Sequence, residues 1–378
     1  MKTQQRIWTA DAGWNISLEP DLQEAQLVFV FGGRKALEEE QRFLELKAFY
    51  PDADIVMSST SGEIFDTQVH DDSVAVTAVV FEKTKFKISE VNIADSKNGF
   101  KAGEQLASQL DKENLVNVFI LSDGQLVNGS ELIKGVYQQL GNKIVVTGGL
   151  AGDGADFQKT LVGYNQPPKS GNIIAIGFYG HDLKIGHGCI GGWDSFGPER
   201  IITRSEGNVL FELDGKSALD LYRGYLGDQA SELPGSALLF PLSIKAEGSS
   251  NSLVRTILSI NEEEKSMTFA GDVPEGYRAR LMMANFERLI GGATDAARNS
   301  NYQISQKNPE LAILISCVGR KLVLNQRIEE EVEAVREVLG DKTTLAGFYS
   351  YGEISPFLDE VKCELHNQTM TITTFSEA

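Results

Sequence analysis

Short apolar runs alternate with helix-like stretches through the first part of the chain. Leu27 to Phe31 form one such run, a helix-like stretch follows, and Ile55 to Met57 form the next run. Short apolar runs separated by helical patterns are typical of βαβ units with partly parallel sheets. The alternation continues to about Leu150 and predicts several such units in this part of the chain.

From about Gln158 the pattern changes, because apolar runs now follow one another with only Gly, Pro and Asp between them. This texture predicts antiparallel sheet. The runs are Thr160–Tyr164, Asn172–Tyr179, Leu183–Ile190 and Arg200–Ser205. Helical periodicity then returns, and the predicted helices are Ser217–Leu226, Arg280–Asn299 and Gln326–Leu339.

These patterns together predict an α/β (mixed α+β) protein whose mixed parallel and antiparallel sheets are flanked by helices. A chain of 378 residues is long enough for two domains. Gly180-His181-Asp182 is a polar break between two strand-like runs. We therefore predict two domains, residues 1–180 and 181–378.

One short string occurs twice. Gly62-Glu63-Ile64 follows the run that ends at Met57, and Gly352-Glu353-Ile354 stands near the end of the chain. Each string closes a strand–helix–strand pattern that contains a Gly-Arg-Lys string, at Gly33 and at Gly319. Such self-similarity predicts duplicated strand–helix–strand units with the two Gly-Glu-Ile loops at equivalent positions. A looser middle unit runs from Val118–Leu121 to Gly148-Gly149-Leu150.

An ordered set of motifs resembles the FIST family of intracellular sensory modules. The first half carries the strings that match the N-terminal domain of that family: Ser58–Ile64, Ser122-Asp123-Gly124, Asn128-Gly129-Ser130 and Gly148–Asp153. The second half carries those that match its C-terminal domain: Gly191-Gly192-Trp193, Leu213-Asp214-Gly215, Phe240-Pro241-Leu242, Val254-Arg255-Thr256, Gly271–Pro274, Tyr351–Ile354 and His366–Thr369. Residues 1–180 are thus FIST N-like and residues 181–378 are FIST C-like.

The resemblance implies a sensory protein that binds a small ligand, with amino acids or similar metabolites as the proposed ligands. It also implies that some stand-alone members bind b-type haem, sense nitric oxide and regulate a partner histidine kinase of a two-component system. No kinase, cyclase or helix-turn-helix signature follows the last motif. We therefore expect signal transduction to pass through a separate signalling protein.

The composition of the chain limits the classes of partner that it can bind. A formal net charge of -18 argues against nucleic acid and against insertion at anionic membranes, because those partners need a basic surface. No segment approaches the roughly 18 consecutive apolar residues of a membrane span, and the N-terminus lacks the apolar core of a signal peptide. Three cysteines without a Cys-x-x-Cys string suggest neither a disulfide framework nor structural zinc. We expect a cytoplasmic protein.

The glycine-rich string from Gly149 to Gly154 invites comparison with a phosphate-binding loop, but it lacks the pattern of one. No Gly-Lys-Ser/Thr follows, and the next element is strand-like instead of helical. We predict a tight strand-to-strand turn, with ligand contact by Gly149 and Asp153 as the alternative. For Glu63 and Glu353 we predict carboxylates that accept loop N–H groups, with ligand contact as the alternative and catalysis as a remote one.

Arg255-Thr256 lies on a predicted strand from Leu253 to Ile260, with Arg255 and Thr256 on opposite faces. An arginine beside a sheet core needs a partner, which is either an internal carboxylate such as Asp272 or the carboxylate of a ligand. His366 is predicted to fix the loop beside it by hydrogen bonds. Two further histidines, His70 and His181, are predicted to be solvated or in the polar break.

His187 shares one strand face with Leu183, Ile185 and Cys189. A hydrogen-bonded core histidine is the ordinary interpretation of such a position, and an axial haem ligand is the alternative. Without a Cys-x-x-Cys-His string any haem would be bound without covalent attachment. Haem is the one cofactor that we consider, and no other metal site is predicted.

Two hypotheses remain. The first is a non-enzymatic ligand sensor with a pocket in which the polar motifs converge. Its predicted ligand-binding residues are Arg255, Thr256, Ser350, Tyr351, Glu353, His366, Asn367, Gly149 and Asp153. The second is a hydrolase that uses Ser350, Tyr351, Glu353 or Arg255, although no Gly-x-Ser-x-Gly elbow is present.

Overall fold

The computed structural model describes residues 1–15, 22–233, 235–249, 251–304, 308–357 and 362–377. Three units of similar topology and one insert make up this part of the chain. Unit 1 spans residues 2–80 and contains β1 Lys2–Thr9, β2 Gly13–Trp14, β3 Leu27–Gly33, α1 Arg34–Glu38, α2 Glu40–Phe49, β4 Asp54–Thr60, β5 Glu63–Phe65, β6 Gln68–His70 and β7 Val74–Val80.

Unit 2 spans residues 85–179. It contains β8 Lys85–Asn92, a 3₁₀ turn Ile93–Asp95, α3 Gly99–Ser108, β9 Leu115–Ser122, α4 Gly129–Leu140, β10 Val145–Leu150, β11 Val162–Tyr164 and β12 Asn172–Tyr179. Unit 3 opens with β13 Leu183–Ile190.

The insert, residues 194–283, then interrupts unit 3. It contains β14 Asp194–Glu206, β15 Val209–Leu213, β16 Lys216–Ser217, α5 Ala218–Leu226, two 3₁₀ turns Gly227–Glu232 and Gly235–Leu239, β17 Leu242–Lys245, β18 Leu253–Arg255, β19 Ile257–Asn261, β20 Ser266–Phe269 and β21 Arg278–Met283. Its strands form a sheet of their own.

Unit 3 resumes after the insert, over residues 286–377. It contains α6 Phe286–Gln303, β22 Leu311–Cys317, α7 Val318–Leu324, a 3₁₀ turn Asn325–Arg327, α8 Ile328–Leu339, β23 Thr344–Ser350, β24 Gly352–Pro356, β25 Cys363–His366 and β26 Met370–Glu377.

Each unit has the same core, a parallel strand pair joined through helix and followed by an antiparallel strand. The pairs are β3 with β4, β9 with β10, and β22 with β23, and the antiparallel strands are β7, β12 and β26. Local sequence explains these elements. β3 reads Leu-Val-Phe-Val-Phe and is buried throughout, as expected for a strand covered on both faces. α4 begins at Asn128, whose side chain accepts the Glu131 N–H, and ends at Gly141, which has a φ of 74°.

The three sheets exchange strands in a cycle. β5 of unit 1 pairs with β23 of unit 3, β24 of unit 3 pairs with β10 of unit 2, and β11 of unit 2 pairs with β4 of unit 1. The inner faces of the sheets share one core, in which Phe31 lies 4.7 Å from Phe348 and Phe29 lies 5.8 Å from Phe119 between ring centroids. The helices lie outside these sheets.

The predicted duplication is confirmed, and the looser middle unit is a third copy. Gly62-Glu63-Ile64 leads into β5 and Gly352-Glu353-Ile354 forms the start of β24, so the two loops are equivalent. The Gly-Arg-Lys strings are not equivalent, which corrects that part of the prediction. β3 ends at Gly33 and β22 ends at Cys317, so Gly33 corresponds to Cys317 and not to Gly319.

Residue 180 lies at the junction of units 2 and 3. Strands from both sides of this junction share two of the sheets, because β5 and β6 join unit 3 while β24 and β25 join unit 2. Two of the four sheets therefore combine strands from residues 1–180 with strands from residues 181–378.

Three predicted elements differ from the structure. Residues 280–283 belong to strand β21, where Ala279 and Leu281 are buried and Arg280 between them is exposed, and α6 starts only at Phe286. The predicted strand Leu253–Ile260 is broken at Thr256 into β18 and β19, so its two faces do not alternate as expected. The turn after Gly149 is a loop of residues 151–161 instead of a tight turn.

Candidate ligand-binding site

The loops that leave β4, β10 and β23 meet in a ring of backbone hydrogen bonds. Each loop donates to a carbonyl of another unit: Ser61 N–H to Tyr349 at 2.8 Å, Tyr351 N–H to Leu150 at 3.2 Å, and Gly152 N–H to Ser59 at 3.0 Å. The ring follows from the strand exchange, because each exit strand must cross to a neighbouring sheet. It holds the residues around it in fixed positions.

Glu63 is fully buried beside this ring. Its carboxylate accepts the hydroxyl of Thr60, the hydroxyl of Ser73 at 2.6 Å and the Ser73 N–H at 3.0 Å. Burial raises the pKa of Glu63 to about 7, although these donors and the charge of Lys321 oppose the shift.

Glu353 has the same surroundings in unit 3. Its carboxylate accepts the hydroxyl of Ser350 at 2.6 Å, the hydroxyl of Thr369 at 2.9 Å and the Thr369 N–H at 3.2 Å. Burial raises its pKa to about 8. The predicted structural contact, a carboxylate that accepts a loop N–H group, is confirmed for both glutamates.

A cavity of about 660 Å³ lies between units 2 and 3 and the insert. Unit 2 contributes the loop before α4 together with Phe157, and unit 3 contributes Tyr351 and Cys317. The insert contributes Thr256 and the neighbouring strand residues. The volume is in the range of small-molecule sites, and a boundary between structural units is a usual place for such a site.

Thr256 places an unused polar group in the wall of this cavity. The residue is 4% exposed, and its hydroxyl oxygen has no hydrogen-bond partner. Its carbonyl accepts the Ala270 N–H at 2.9 Å, which fixes the break between β18 and β19. A buried hydroxyl without a partner is unfavourable, so this position suits a polar group of a ligand.

Tyr351 forms another part of the wall. Its ring stacks on Phe157, with 4.7 Å between centroids and 13° between planes. Its hydroxyl donates to the Asp153 carboxylate and also accepts the Phe157 N–H at 3.3 Å. Burial raises the pKa of Tyr351, so the hydroxyl stays protonated and acts as a donor.

Asp153 belongs to a second cavity of about 330 Å³, which is lined by charged side chains and the Ser61–Glu63 loop. Arg34 reaches this cavity and lies 3.6 Å from Asp153 and 3.1 Å from Asp156, between the nearest nitrogen and oxygen atoms. The contact between Asp153 and Tyr351 therefore connects the two cavities.

Arg255 does not line either cavity described above. Its guanidinium donates to the main-chain carbonyls of Asp272 and Leu365, each at 2.9 Å. Its partner is therefore internal, but it is backbone instead of the Asp272 carboxylate, which pairs with Lys134. Burial lowers the pKa of Arg255 to about 10.

The remaining predicted site residues lie in the packed interior. His366 is buried with its Nε2 2.8 Å from the Ser355 carbonyl, and burial lowers its pKa to about 4. Asn367 is fully buried and donates to the Tyr351 carbonyl at 3.5 Å. Gly149 packs against Ile315, which a side chain at this position would strike.

Of the predicted ligand-binding residues, Thr256 and Tyr351 line the larger cavity and Asp153 lines the smaller one. Arg255, Ser350, Glu353, His366, Asn367 and Gly149 line neither. The sequence interpretation missed Phe157, an apolar residue between polar neighbours in a loop, and Leu258, which follows Ile257 in the short strand β19. Only their exposure in the structure, 38% and 44%, marks them as wall residues.

His187 is buried on β13, and burial lowers its pKa to about 4. Its Nδ1 has no hydrogen-bond partner, so it is not the hydrogen-bonded core histidine of the ordinary interpretation. A neutral imidazole fits haem ligation, and His187 lines neither of the two cavities described above. His181 is exposed, whereas His70 is half-buried and not solvated as predicted.

No group of three or more His, Cys, Asp and Glu side chains is arranged to hold a metal ion within the described ranges. Over the same ranges, no helix is both long and apolar enough to cross a membrane.

Family profiles match most of the chain. The FIST N domain matches residues 26–216, and the FIST C domain matches residues 218–356. The chain belongs to the FIST family. FIST domains are sensory domains for small ligands, so a generic small-molecule ligand follows from the membership. The two matched ranges meet inside the insert, at a different place from residue 180.

This FIST chain is 23% identical over 326 residues to the uncharacterized protein MJ1623 of Methanocaldococcus jannaschii. The match covers 78% of this chain and 60% of that relative. Among solved structures, a cyanuric acid hydrolase from A. caulinodans aligns over 99% of both chains with a TM-score of 0.37 and 8% identity.

Proposed function

We propose that this FIST protein senses a small molecule in the 660 Å³ cavity between units 2 and 3 and the insert. The observation that carries the proposal is that Thr256, a residue of the cavity wall, has a buried hydroxyl without a hydrogen-bond partner. A ligand group that bonds this hydroxyl removes an unfavourable buried polar atom, which gives the bound state an advantage.

A ligand in the cavity can affect the conformation of several parts of the molecule. A ligand there contacts the insert and two units at once, and it touches the stacked pair of Phe157 and Tyr351. The bound state is then passed to a separate signalling protein in the cytoplasm. A histidine kinase is the candidate that the family resemblance implies.

The proposal concerns binding and not catalysis. Ser350, which a hydrolase would need as a nucleophile, is fully buried, and its hydroxyl donates a hydrogen bond to Glu353. Neither residue lines either cavity. The alternative of a haem-based nitric oxide sensor rests on the resemblance and on the neutral His187 alone, and an absorption spectrum with added ferric haem tests it.

Native mass spectrometry of the full chain tests the proposed function. We expect a retained small molecule on the gently purified protein, and its loss from a Thr256→Val variant. Thr374→Val is the matched control, because Thr374 is also buried with an unpartnered hydroxyl but lines neither cavity. Equal retention by both variants contradicts the assignment of the cavity.

A further inference from the structure

The larger cavity has an uncharged wall. Among the residues that the structure describes, none of those that line it is Asp, Glu, Lys or Arg. Arg255 lies behind the wall against Gly271, and its Nε and Nη1 atoms donate to backbone carbonyls. A charged ligand group would lose its water here without an opposite charge to replace it.

The polar wall residues are mostly committed to internal contacts. The Asn208 amide donates to the Phe269 carbonyl at 2.7 Å. The Asn128 side chain accepts the Glu131 N–H and donates to Asp272. Among the described wall residues, Thr256 is the one with a buried side-chain polar atom that lacks a partner, whereas the side chain of Gln125 is exposed. Thr256 is therefore the position at which a ligand gains most from a single hydrogen bond.

The aromatic part of the wall favours a flat ligand. Phe157 and Tyr351 stack almost in parallel, and Phe157 keeps 38% of its surface exposed. Phe157 also holds a φ of 52°, which is unusual for a residue other than glycine, asparagine or aspartate. The loop thus presents an aromatic face beside the cavity, onto which a second flat ring can stack.

We propose that the cavity selects an uncharged, flat aromatic molecule with one hydrogen-bonding group directed at Thr256. This proposal rests on the proposed function, because it names the ligand class of the same cavity. It differs from the amino acids that the family resemblance implies, since a zwitterion would bring two unpaired charges into a wall that carries none.

The test compares indole with L-tryptophan, which share a ring system but differ in charge. We expect isothermal titration calorimetry on the full chain to give indole at least tenfold tighter binding than L-tryptophan. Phenol should likewise bind more tightly than L-tyrosine. Tighter binding of the amino acid in either pair, or no binding of either neutral probe, overturns the ligand class.

Variants locate the site. Thr256→Val should weaken indole binding about fivefold, which is the scale of one hydrogen bond, and Phe157→Ala should weaken it through loss of stacking. Thr374→Val should leave the dissociation constant unchanged. If Thr256→Val and Phe157→Ala both leave the dissociation constant of indole unchanged, the proposal is overturned. A zwitterion that binds and is sensitive to Thr256→Val overturns the ligand class but leaves the proposed function intact.

Discussion

Glu63 and Glu353 illustrate how the same local sequence gives the same chemistry in two units. Each carboxylate accepts one hydroxyl from three residues earlier, in Thr60 or Ser350. Each is also buried beside a loop N–H group, and burial raises the pKa of both. Their protonation therefore responds near neutral pH, unlike that of an exposed glutamate.

The raised pKa of Glu353 predicts a pH dependence of stability. Its pKa is about 8 in the folded protein against a reference of 4.5, so the folded state binds more protons between these values. The stabilisation is complete below about pH 4.5 and is lost as the pH rises towards 8. Since one pKa unit is worth about 1.4 kcal/mol, we expect the free energy of unfolding to fall by at least about 1 kcal/mol.

Urea unfolding at pH 5, 6, 7 and 8 measures this effect. Glu353→Gln keeps the shape of the side chain but cannot titrate, so its free energy of unfolding should vary less with pH than that of the wild type. Glu337→Gln on the exposed side of α8 serves as the control. An unchanged pH slope in Glu353→Gln would show that the carboxyl does not titrate in this range.

We predict that substitution of Arg255 reduces the stability of the protein instead of its ligand binding. Its guanidinium joins the insert to β25 through the carbonyls of Asp272 and Leu365. Arg255→Met leaves both carbonyls without these donors, so we expect the free energy of unfolding to fall by about 2 kcal/mol or more in the absence of any ligand. Arg204→Met, which removes an exposed ion pair with Glu212, should change it by less than about 1 kcal/mol.

At the scale of elements, the sequence predicted those strands and helices that a local sequence pattern determines. The buried run of β12, Asn172–Tyr179, and that of β13, Leu183–Ile190, were predicted with their observed bounds. The helix predicted at Ser217–Leu226 is present as Ala218–Leu226, and the Ser217 side chain caps it by accepting the Asp220 N–H. The Gly-Glu-Ile strings identified two equivalent exit loops.

The sequence failed where the deciding contacts are remote. Unit 2 has Gly154 where units 1 and 3 have glutamate, so its sequence showed only a looser likeness, and its equivalence became plain from its strand pairing and from the bond of Gly152 to Ser59. The candidate pocket was placed around Arg255 because an arginine on a strand demands a partner. The partners of Arg255 are backbone carbonyls, and no local sequence pattern predicts which carbonyls the fold brings close to it.

The ring of exit loops can be tested at Gly152. A Cβ at this position would lie 2.3 Å from the Ser61 hydroxyl oxygen and 2.9 Å from its nitrogen, which is too close for any side chain. We expect Gly152→Ala to lower the free energy of unfolding by about 2 kcal/mol, as overpacking does elsewhere. Chemical denaturation measures this loss.

The control is Gly224→Ala in α5, where a Cβ would meet no atom within 4 Å. Alanine is the better helix former there, so the free energy of unfolding should stay the same or rise by up to about 1 kcal/mol. If Gly152→Ala is as stable as the wild type, the close contact of the three exit loops does not contribute to stability.

At the scale of the molecule, the core and the insert differ in how they are connected. The three units exchange strands, so each sheet of the core needs residues from two units. All strands of the sheet in the insert come from residues 194–283. The cavity lies where these two bodies meet, which makes its shape depend on both.

The ends of the insert are adjacent, so it can be removed. Asp194 and Met283 face each other as a strand pair, and the fully buried Arg320 donates to the carbonyls of Gly191 and Leu289 on either side of the junction. Replacing residues 194–283 by a short Gly-Ser turn should therefore leave a folded core, because a pair of adjacent strand ends needs only a few residues to connect.

We expect this deletion variant to unfold cooperatively and to keep the circular dichroism of a mixed α and β protein, with lower stability because the contacts of Arg255 are lost. It should not bind indole, since Thr256 and the insert side of the cavity are gone. A truncation to residues 1–180 is the comparison, and it should fail to fold, because β10 then lacks its partner β24. A folded 1–180 fragment, or indole binding by the deletion variant, would contradict the division of the molecule into an interlocked core and an insert that completes its ligand site.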